Sequence, residues 1–357
     1  MPPDVAARAS SVGGLLSDVR SRRVLRFAVG ITLSTALAYL IGFELPFLVP
    51  ILVAMLLGAP APGPSFRAGV AFVAPIAVAA FVGVLLTRYL LQYRVIFLLI
   101  EFLVLWLIFY GLAGGAAPLR MVWLLIAALL IPLMGTASIG LSVGIALGLV
   151  EGAIIALVST WLSFGLLPDS PEHPATVTGG LDAKPAKQVP PPEARAAFAR
   201  RSLLVLYPLM LLFFVMGWTD QAVVLLFAAL LSLLPSFAAG WKVGKNMIVG
   251  NLIGGVVAIV FYQLLLVWPS INAFLLLTFL SALIFAEVIF SDRPVAPLFK
   301  TGFNTVLLLV GMSVTIVGTD ASSKFYTRIA QIMLAVIYVA AAFGWLEFLE
   351  RKRMTTE

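Results

Sequence analysis

The segment that decides the fold is VIFLLIEFLVLWLIFYGLA, residues 95–113, in which Glu101 is the single charged side chain. A helix of about 20 apolar residues spans the hydrocarbon core of a bilayer. Similar segments fill two long blocks, residues 24–167 and 201–350, each long enough for about six spans. Because 62% of the residues are hydrophobic and only 11% are charged, we predict an integral membrane protein.

Backbone hydrogen bonding determines the predicted fold class. Lipid offers no partner for free N–H and C=O groups, so spans of this length must be α-helices, and the alternating pattern of a lipid-facing β-barrel is absent. We therefore predict an all-α, polytopic membrane protein of about twelve transmembrane helices. Breaks in the apolar pattern place these helices near residues 24–42, 46–59, 68–88, 95–113, 119–135, 137–166, 201–217, 221–235, 244–267, 271–290, 297–317 and 325–349.

Weak internal similarity predicts that the two blocks are six-helix repeats. The tetrapeptide FRAG at 66–69 matches WKVG at 241–244, and WLSF at 161–164 resembles WLEF at 345–348. Because six is an even number of spans, both repeats enter the membrane from the same side and run parallel. The second span of each repeat is short and bounded by proline, which indicates either a broken helix beside a substrate path or a tilted helix packed inside the bundle.

Charge placement predicts the topology. With alternating spans, nineteen of the 23 Lys and Arg residues fall on the side of the N-terminus, and only Arg88, Arg94, Lys324 and Arg328 fall on the other. Basic residues collect on the cytoplasmic side of a membrane. We therefore predict a cytoplasmic N-terminal tail (1–23), a first repeat (24–167), a Pro-rich cytoplasmic linker (168–200), a second repeat (201–350) and a cytoplasmic C-terminal tail (351–357).

Other residues argue against nucleic-acid binding and against enzymatic activity. The topology alone explains the net charge of +7. The chain has no cysteine, and its one histidine, His173, lies in the linker, so we expect no metal site, no cofactor and no set of nucleophile, base and orienting acid. The segment GWKVGKN at 240–246 is one residue short of a P-loop and has Asn in place of Ser or Thr.

Three carboxyl groups are predicted at membrane depth and are candidates for proton coupling. An acidic side chain in hydrocarbon costs on the order of 2.5–3.5 kcal/mol unless it is protonated, paired or in contact with water. Glu151 is the first candidate, because it lies mid-span beside glycines that would bring a second helix close. Glu101 can instead pair with Arg94 or Arg88, and Glu287, one turn from the inner end of its span, can instead reach the cytoplasm.

Polar groups near and below the cytoplasmic boundary are candidates for a substrate path. Amides inside a span need a protein, water or substrate partner, and an arginine can bind a carboxylate through two parallel hydrogen bonds. The positive-inside rule places basic groups at this boundary in any case. The candidates are Asn251, Asn246, Asn304, Arg26, Arg67 and Lys245.

Several local motifs resemble a known family. They are LRFA at 25–28, LPFLVP at 45–50, the loop residue Arg67, a Gly-rich third span and GNLIG at 250–254. Together they resemble the fusaric acid resistance and aromatic acid exporter superfamily (FUSC-like), and within it the compact DUF2955-type membrane proteins. The GNLIG segment is similar to the family's Gly-Thr-x-x-Gly, and its glycines predict a close approach of two helices.

The resemblance implies a multi-pass protein of the bacterial inner membrane that exports small aromatic or other organic anions, or drugs, as in multidrug resistance. It also implies a periplasmic adaptor and an outer-membrane channel as partners. We predict proton-driven efflux by a lipid-embedded homo-oligomer. The alternatives are a passive anion channel and a scaffold subunit of an envelope assembly that transports nothing.

Overall fold

The computed structural model of the 357-residue chain describes residues 19–59, 63–116, 118–168, 190–219, 221–233, 237–315, 327, 330–331, 333–335 and 337–346. These described residues form helices and no strand, which confirms the predicted all-α class. Most of the N-terminal tail, most of the linker with His173, and the C-terminal tail lie outside the described residues.

Twelve helices occur along the described residues, and a π-helical turn, Leu86–Leu90, continues the third. The helices are α1 Val19–Leu40, α2 Leu48–Leu57, α3 Phe66–Leu85, α4 Arg94–Ala113, α5 Pro118–Ala137, α6 Ile139–Leu166, α7 Pro192–Met216, α8 Ala222–Ser232, α9 Phe237–Val267, α10 Ile271–Ile289, α11 Ala296–Thr315 and α12 Met333–Leu346. Most of their bounds lie within a few residues of the breaks in the apolar pattern, but α1, α7 and α9 begin five or more residues before the predicted positions.

Eight of these described helices are long and apolar enough to cross a membrane, which supports a membrane protein. They are α1, α3 with its π-helical turn, α4 to α7, α9 and α10. Helices α2 and α8 have only 10 and 11 residues. At 1.5 Å per residue each reaches roughly half of the hydrocarbon thickness. These are the two second helices that the sequence predicts to be short.

Helix α7 begins earlier than the apolar pattern predicts, at Pro192 rather than near residue 201. Proline fits the first turn of a helix because that turn needs no N–H donor, and the acidic Glu193 beside it favours a helix N-terminus. The helix therefore extends through polar residues before its apolar segment. It ends at Gly217, whose φ of 64° suits the left-handed cap.

The chain divides into two compact units. Unit 1 comprises Met1–Phe72, Glu151–Lys184 and Val249–Phe325. Unit 2 comprises Val73–Val150, Pro185–Ile248 and Tyr326–Glu357. Each unit thus combines segments of both predicted membrane blocks.

In unit 1, four helices pack as a ring. Helix α1 packs against α10 and α2, and α11 packs against the same two helices. The aromatic ring of Phe27 in α1 lies 5.7 Å from that of Phe290 and 5.4 Å from that of Phe303. Apolar and aromatic packing therefore holds the centre of unit 1.

The crossing of α9 and α11 in unit 1 depends on glycine. A Cβ atom on Gly254 would collide with the backbone of Gly302, and a Cβ atom on Gly250 would lie 2.8 Å from the carbonyl oxygen of Leu298. Only residues without a side chain allow such an approach. The close helix contact predicted for the GNLIG segment is therefore confirmed.

In unit 2, α7 packs against α4 and α8, and α5 packs against the same two helices. The fully buried side chains of Phe109, Leu125 and Leu206 belong to one large apolar cluster. The ring of unit 2 repeats that of unit 1, with α7, α8, α4 and α5 in the places of α1, α2, α10 and α11. In both rings, the first two helices of one block pack against the fourth and fifth of the other.

Candidate functional site

Glu101 is the buried member of the three candidate carboxyl groups. Its side chain is 0% exposed and lies on the face of α4 that also buries Phe97 and Leu105, one turn away on either side. Neither carboxyl oxygen has a hydrogen-bond partner among the described residues. The alternative of a pair with Arg88 or Arg94 is therefore not formed in the described structure.

Glu101 faces the seam between α4 and α7. Three aromatic pairs align these helices as antiparallel neighbours: Phe97 with Phe214, Phe102 with Tyr207, and Phe109 with Phe198. The alignment places Glu101 at the level of Tyr207. The Tyr207 hydroxyl donates a 3.0 Å hydrogen bond to the carbonyl oxygen of Leu98 on α4.

A cavity of about 700 Å³ opens in unit 2 beside the N-terminal end of α4. Its wall combines cationic, polar and aromatic side chains from the π-helical turn, α4, the end of α5 and the end of α7. The lining residues are Thr87, Arg88, Tyr89, Leu91, Gln92, Arg94, Phe97, Leu98, Gly135, Thr136, Ile139, Phe214 and Val215.

Arg88 and Arg94 both line this cavity and supply two guanidinium groups. A guanidinium can bind a carboxylate through two parallel hydrogen bonds, and the amide of Gln92 adds a further donor. Arg88 lies in the π-helical turn, a distortion that often occurs at functional sites. The arrangement is chemically suited to a small organic anion.

Glu101 lies about one helical turn beyond the cavity wall. Phe97 and Leu98 line the cavity, and Glu101 follows them by four and three residues on α4. At 1.5 Å per residue the step along the helix axis is about 5 Å. The cationic cavity and the buried carboxyl therefore belong to one site, which we call the α4 site and define by Arg88, Arg94 and Glu101.

Glu151 lies in an exposed position in unit 1. It shares an exposed stripe of α6 with Ile154 and Val158. It lines a cavity of about 430 Å³ together with Glu44, which lies in the loop after α1. The neighbouring Gly152 does bring a second element close, because a Cβ atom there would lie 3.1 Å from the side chain of Leu48.

Glu287 forms an ion pair near the end of α10. Its Oε2 atom lies 3.0 Å from Nη2 of Arg20 at the start of α1, and the same nitrogen donates a 2.7 Å bond to the Glu287 carbonyl oxygen. Both side chains are about half exposed. This position fits the alternative in which Glu287 reaches the aqueous boundary.

Two substrate-path candidates are engaged in contacts within unit 1. The guanidinium of Arg26 lies 3.9 Å from the ring centre of Phe164 and donates a 3.2 Å bond to the carbonyl oxygen of Leu167. Asn251, only 2% exposed, accepts a 2.7 Å hydrogen bond from the Thr305 hydroxyl across the α9–α11 crossing. Both residues hold helices together where they lie.

The remaining path candidates are spread over the chain. Arg67 is exposed at the start of α3, and Asn304 is partly buried in α11. The side chains of Lys245 and Asn246 lie outside the described residues. None of the four path candidates with described side chains lines the cavity of the α4 site.

Sequence reasoning missed the α4 site as a unit, although a signal was present. The segment TRYLLQYR at 87–94 places two arginines and a glutamine between two apolar helices. From the sequence alone this segment resembles an ordinary loop. The cavity forms only because the ends of α5 and α7 pack against it. Among the described residues, no group of three or more His, Cys, Asp or Glu side chains is placed to hold a metal ion.

The fold and the α4 site thus describe an all-helical membrane protein with a buried acid beside a cationic cavity. Residues 23–163, from α1 into α6, match the model of a family described as "Protein of unknown function (DUF2955)". No curated protein and no solved structure matches the chain. The wider resemblance to aromatic acid exporters therefore enters only as a proposal.

Proposed function

We propose that this protein is a proton-coupled efflux transporter of small organic anions, aromatic carboxylates foremost. The observation that carries the proposal is Glu101, which is fully buried, has no hydrogen-bond partner among the described residues and lies one helical turn from a cavity lined by Arg88 and Arg94. The anion binds in the cavity, and Glu101 takes up and releases the coupling proton.

The lining of the cavity supports an aromatic anion as substrate. Arg88 and Arg94 supply the positive charge, while the rings of Tyr89, Phe97 and Phe214 supply flat apolar surface in the same wall. Aromatic rings attract one another at their faces and edges. A carboxylate attached to an aromatic ring uses both parts of this wall.

The burial of Glu101 supports its choice over Glu151 and Glu287 as the proton site. An ionised carboxylate in a dry interior is costly, so Glu101 is stable there as the neutral acid. When a conformational change admits water or a cation, the same group can ionise. Glu287 is half exposed and already paired with Arg20, and Glu151 lies on the exposed surface of α6, so neither carboxyl group is enclosed by protein as Glu101 is.

The repeated ring of helices supports a two-repeat transporter of twelve membrane helices. The pairings of α1, α2, α10 and α11 recur as α7, α8, α4 and α5, as expected when two parallel repeats exchange partners. We place the protein in a bacterial inner membrane with both termini cytoplasmic. The resemblance supports a periplasmic adaptor and an outer-membrane channel as partners, and a homo-oligomeric state belongs to the same proposal.

The test is transport in inverted membrane vesicles that carry the wild-type protein. Radiolabelled benzoate, salicylate and hydroxybenzoates are offered with and without a proton gradient, and vesicles lacking the protein are the control. The proposal predicts accumulation against the concentration gradient that an uncoupler abolishes. Flux that only runs downhill and ignores the uncoupler supports a passive anion channel instead, and the absence of flux for every compound supports the scaffold.

A further inference from the structure

We propose that Tyr207, Glu101 and Ser202 form a proton path along the α4–α7 seam, with Tyr207 on the cavity side of the path and Ser202 on the other side. This inference rests on the proposed function, because it supplies the route by which the coupling proton reaches and leaves Glu101. It assigns functions to two α7 residues that lie outside the anion cavity.

Ser202, like Ser142, is a buried serine whose hydroxyl lacks the usual bond to its own helix. Buried serines and threonines in helices usually donate to a carbonyl oxygen of the preceding turn, as Ser159, Ser163 and Ser232 do here. Ser202 is 1% exposed, and its hydroxyl has no hydrogen-bond partner among the described residues. A hydroxyl in this condition keeps its donor and acceptor functions free.

In the proposed path, one water molecule links Ser202 to Glu101. The Phe102–Tyr207 and Phe109–Phe198 pairs bracket Ser202, which places it about one turn of α4 from Glu101. Both side chains are buried, and both have free polar atoms. Two unpaired polar groups on one helix seam are where a buried water is expected.

Tyr207 connects Glu101 to the cavity on the other side. Its hydroxyl donates to the carbonyl oxygen of Leu98, and Leu98 lines the cavity of the α4 site. A phenol can accept one proton while it donates another. The proposed order along the seam is therefore the cavity, the Tyr207 phenol, the Glu101 carboxyl group and the Ser202 hydroxyl.

Few other titratable groups face Glu101 from the elements packed against α4. On α7 the nearest is Tyr207, and on α5 and the π-helical turn the ionisable groups lie at the helix ends. The charged groups on these elements are Arg88, Arg120, Glu193, Arg195, Arg200 and Arg201.

The proton transfers balance at each step. On entry, a hydronium ion in the cavity gives its proton to the Tyr207 oxygen, while the phenolic proton leaves the Leu98 carbonyl and passes through a water in the seam to the Glu101 carboxylate. On exit, the Glu101 acid gives its proton to the water between it and Ser202, that water gives a proton to the Ser202 oxygen, and the Ser202 hydroxyl proton passes to a water on the far side. Both hydroxyl groups end each step neutral and unchanged.

The test measures proton exchange at Glu101 directly. In reconstituted wild-type protein, the infrared C=O band of the Glu101 acid is identified by its loss in Glu101→Gln, and its shift is timed after transfer to D₂O. We expect Ser202→Ala and Tyr207→Phe to slow this shift at least about tenfold, and Ser202→Thr to restore the rate.

Two matched variants control for the loss of a hydroxyl group. Ser232→Ala and Tyr338→Phe remove hydroxyls of unit 2 that donate to the backbone carbonyls of Ala228 and Val205, and we expect wild-type exchange in both. Equal rates in all variants overturn the path even if transport is proton-driven. If Ser202→Ala and Tyr207→Phe slow the exchange but the wild-type protein does not transport benzoate, the proton path is supported and the proposed function is rejected.

Discussion

Glu101 lowers the stability of the fold, and the proposed function requires it. A buried polar group without a hydrogen bond costs about 1–3 kcal/mol, and an ionised one costs more. Packing does not require an acidic side chain among the apolar residues 95–113, since leucine or methionine would pack there without this cost. Its presence is what a functional acid would require.

Glu101→Met is therefore expected to stabilise the protein while it removes coupled transport. The thioether fills a similar volume and needs no hydrogen bond, so we expect the free energy of unfolding to rise by about 1–3 kcal/mol. Thermal unfolding in detergent measures the change. Glu151→Met, at an exposed position, should shift the midpoint little, and a lower midpoint for Glu101→Met would contradict the account.

The two cavity arginines are expected to act on substrate binding. Arg88→Gln and Arg94→Gln each remove a charged donor, and a hydrogen bond to a charged group is worth about 1.5–3 kcal/mol, so kcat/KM should fall by about ten- to a hundredfold. Lysine at either position should restore only part of this, because it lacks the bidentate geometry. Benzoate transport measures both effects.

Arg67→Gln is the matched control, since Arg67 is exposed on unit 1 and does not line the cavity. Its transport parameters should equal those of the wild type. Equal losses in Arg67→Gln and Arg94→Gln would show that net charge alone, rather than the cavity, governs transport.

At the scale of elements, glycine decides how closely α9 and α11 pack. Gly254→Ala places a methyl group against the backbone of Gly302, which cannot move aside as a side chain can. We expect the helices to separate and the free energy of unfolding to fall by about 1–3 kcal/mol, as for overpacking in a core. Gly165→Ala, in α6 where a Cβ atom meets nothing within 4 Å, should be neutral or slightly stabilising. Equal midpoints for the two variants would contradict the packing.

The sequence predicts the bounds of individual helices better than it predicts which helices pack together. The apolar pattern predicts α4 and α10 to within a residue or two, because these segments are bounded by charged, glycine or proline breaks. It misplaces the start of α7, since a helix continues into polar residues wherever its own hydrogen bonds suffice. Which carboxyl is buried could not be predicted, because burial depends on α7 packing against α4, a contact between distant segments.

At the scale of the whole molecule, the two rings are alike in their pairings but not in their chemistry. Glu101 is the eighth residue of α4, and the eighth residue of α10, the corresponding helix, is Thr278. Thr278 is also buried, and its hydroxyl donates to the Phe274 carbonyl of its own helix. We therefore expect one coupling proton for each chain rather than two.

The proposed topology can be tested because the chain has no native cysteine. Glu44→Cys lies in the loop between α1 and α2, and Asp292→Cys lies in the loop between α10 and α11; both positions are exposed in unit 1. In intact cells a membrane-impermeant maleimide should label Glu44→Cys, and it should label Asp292→Cys only after permeabilisation. The opposite pattern would invert the orientation derived from the basic residues.

The most direct test of the central claim compares Glu101→Gln with wild type in proteoliposomes, using Glu151→Gln as the matched control. Each protein is offered radiolabelled benzoate under an imposed pH gradient, and exchange of labelled for unlabelled benzoate is measured without one. We predict that Glu101→Gln loses uphill accumulation by at least about a hundredfold yet keeps exchange, while Glu151→Gln retains both. Full uphill accumulation by Glu101→Gln would contradict the account.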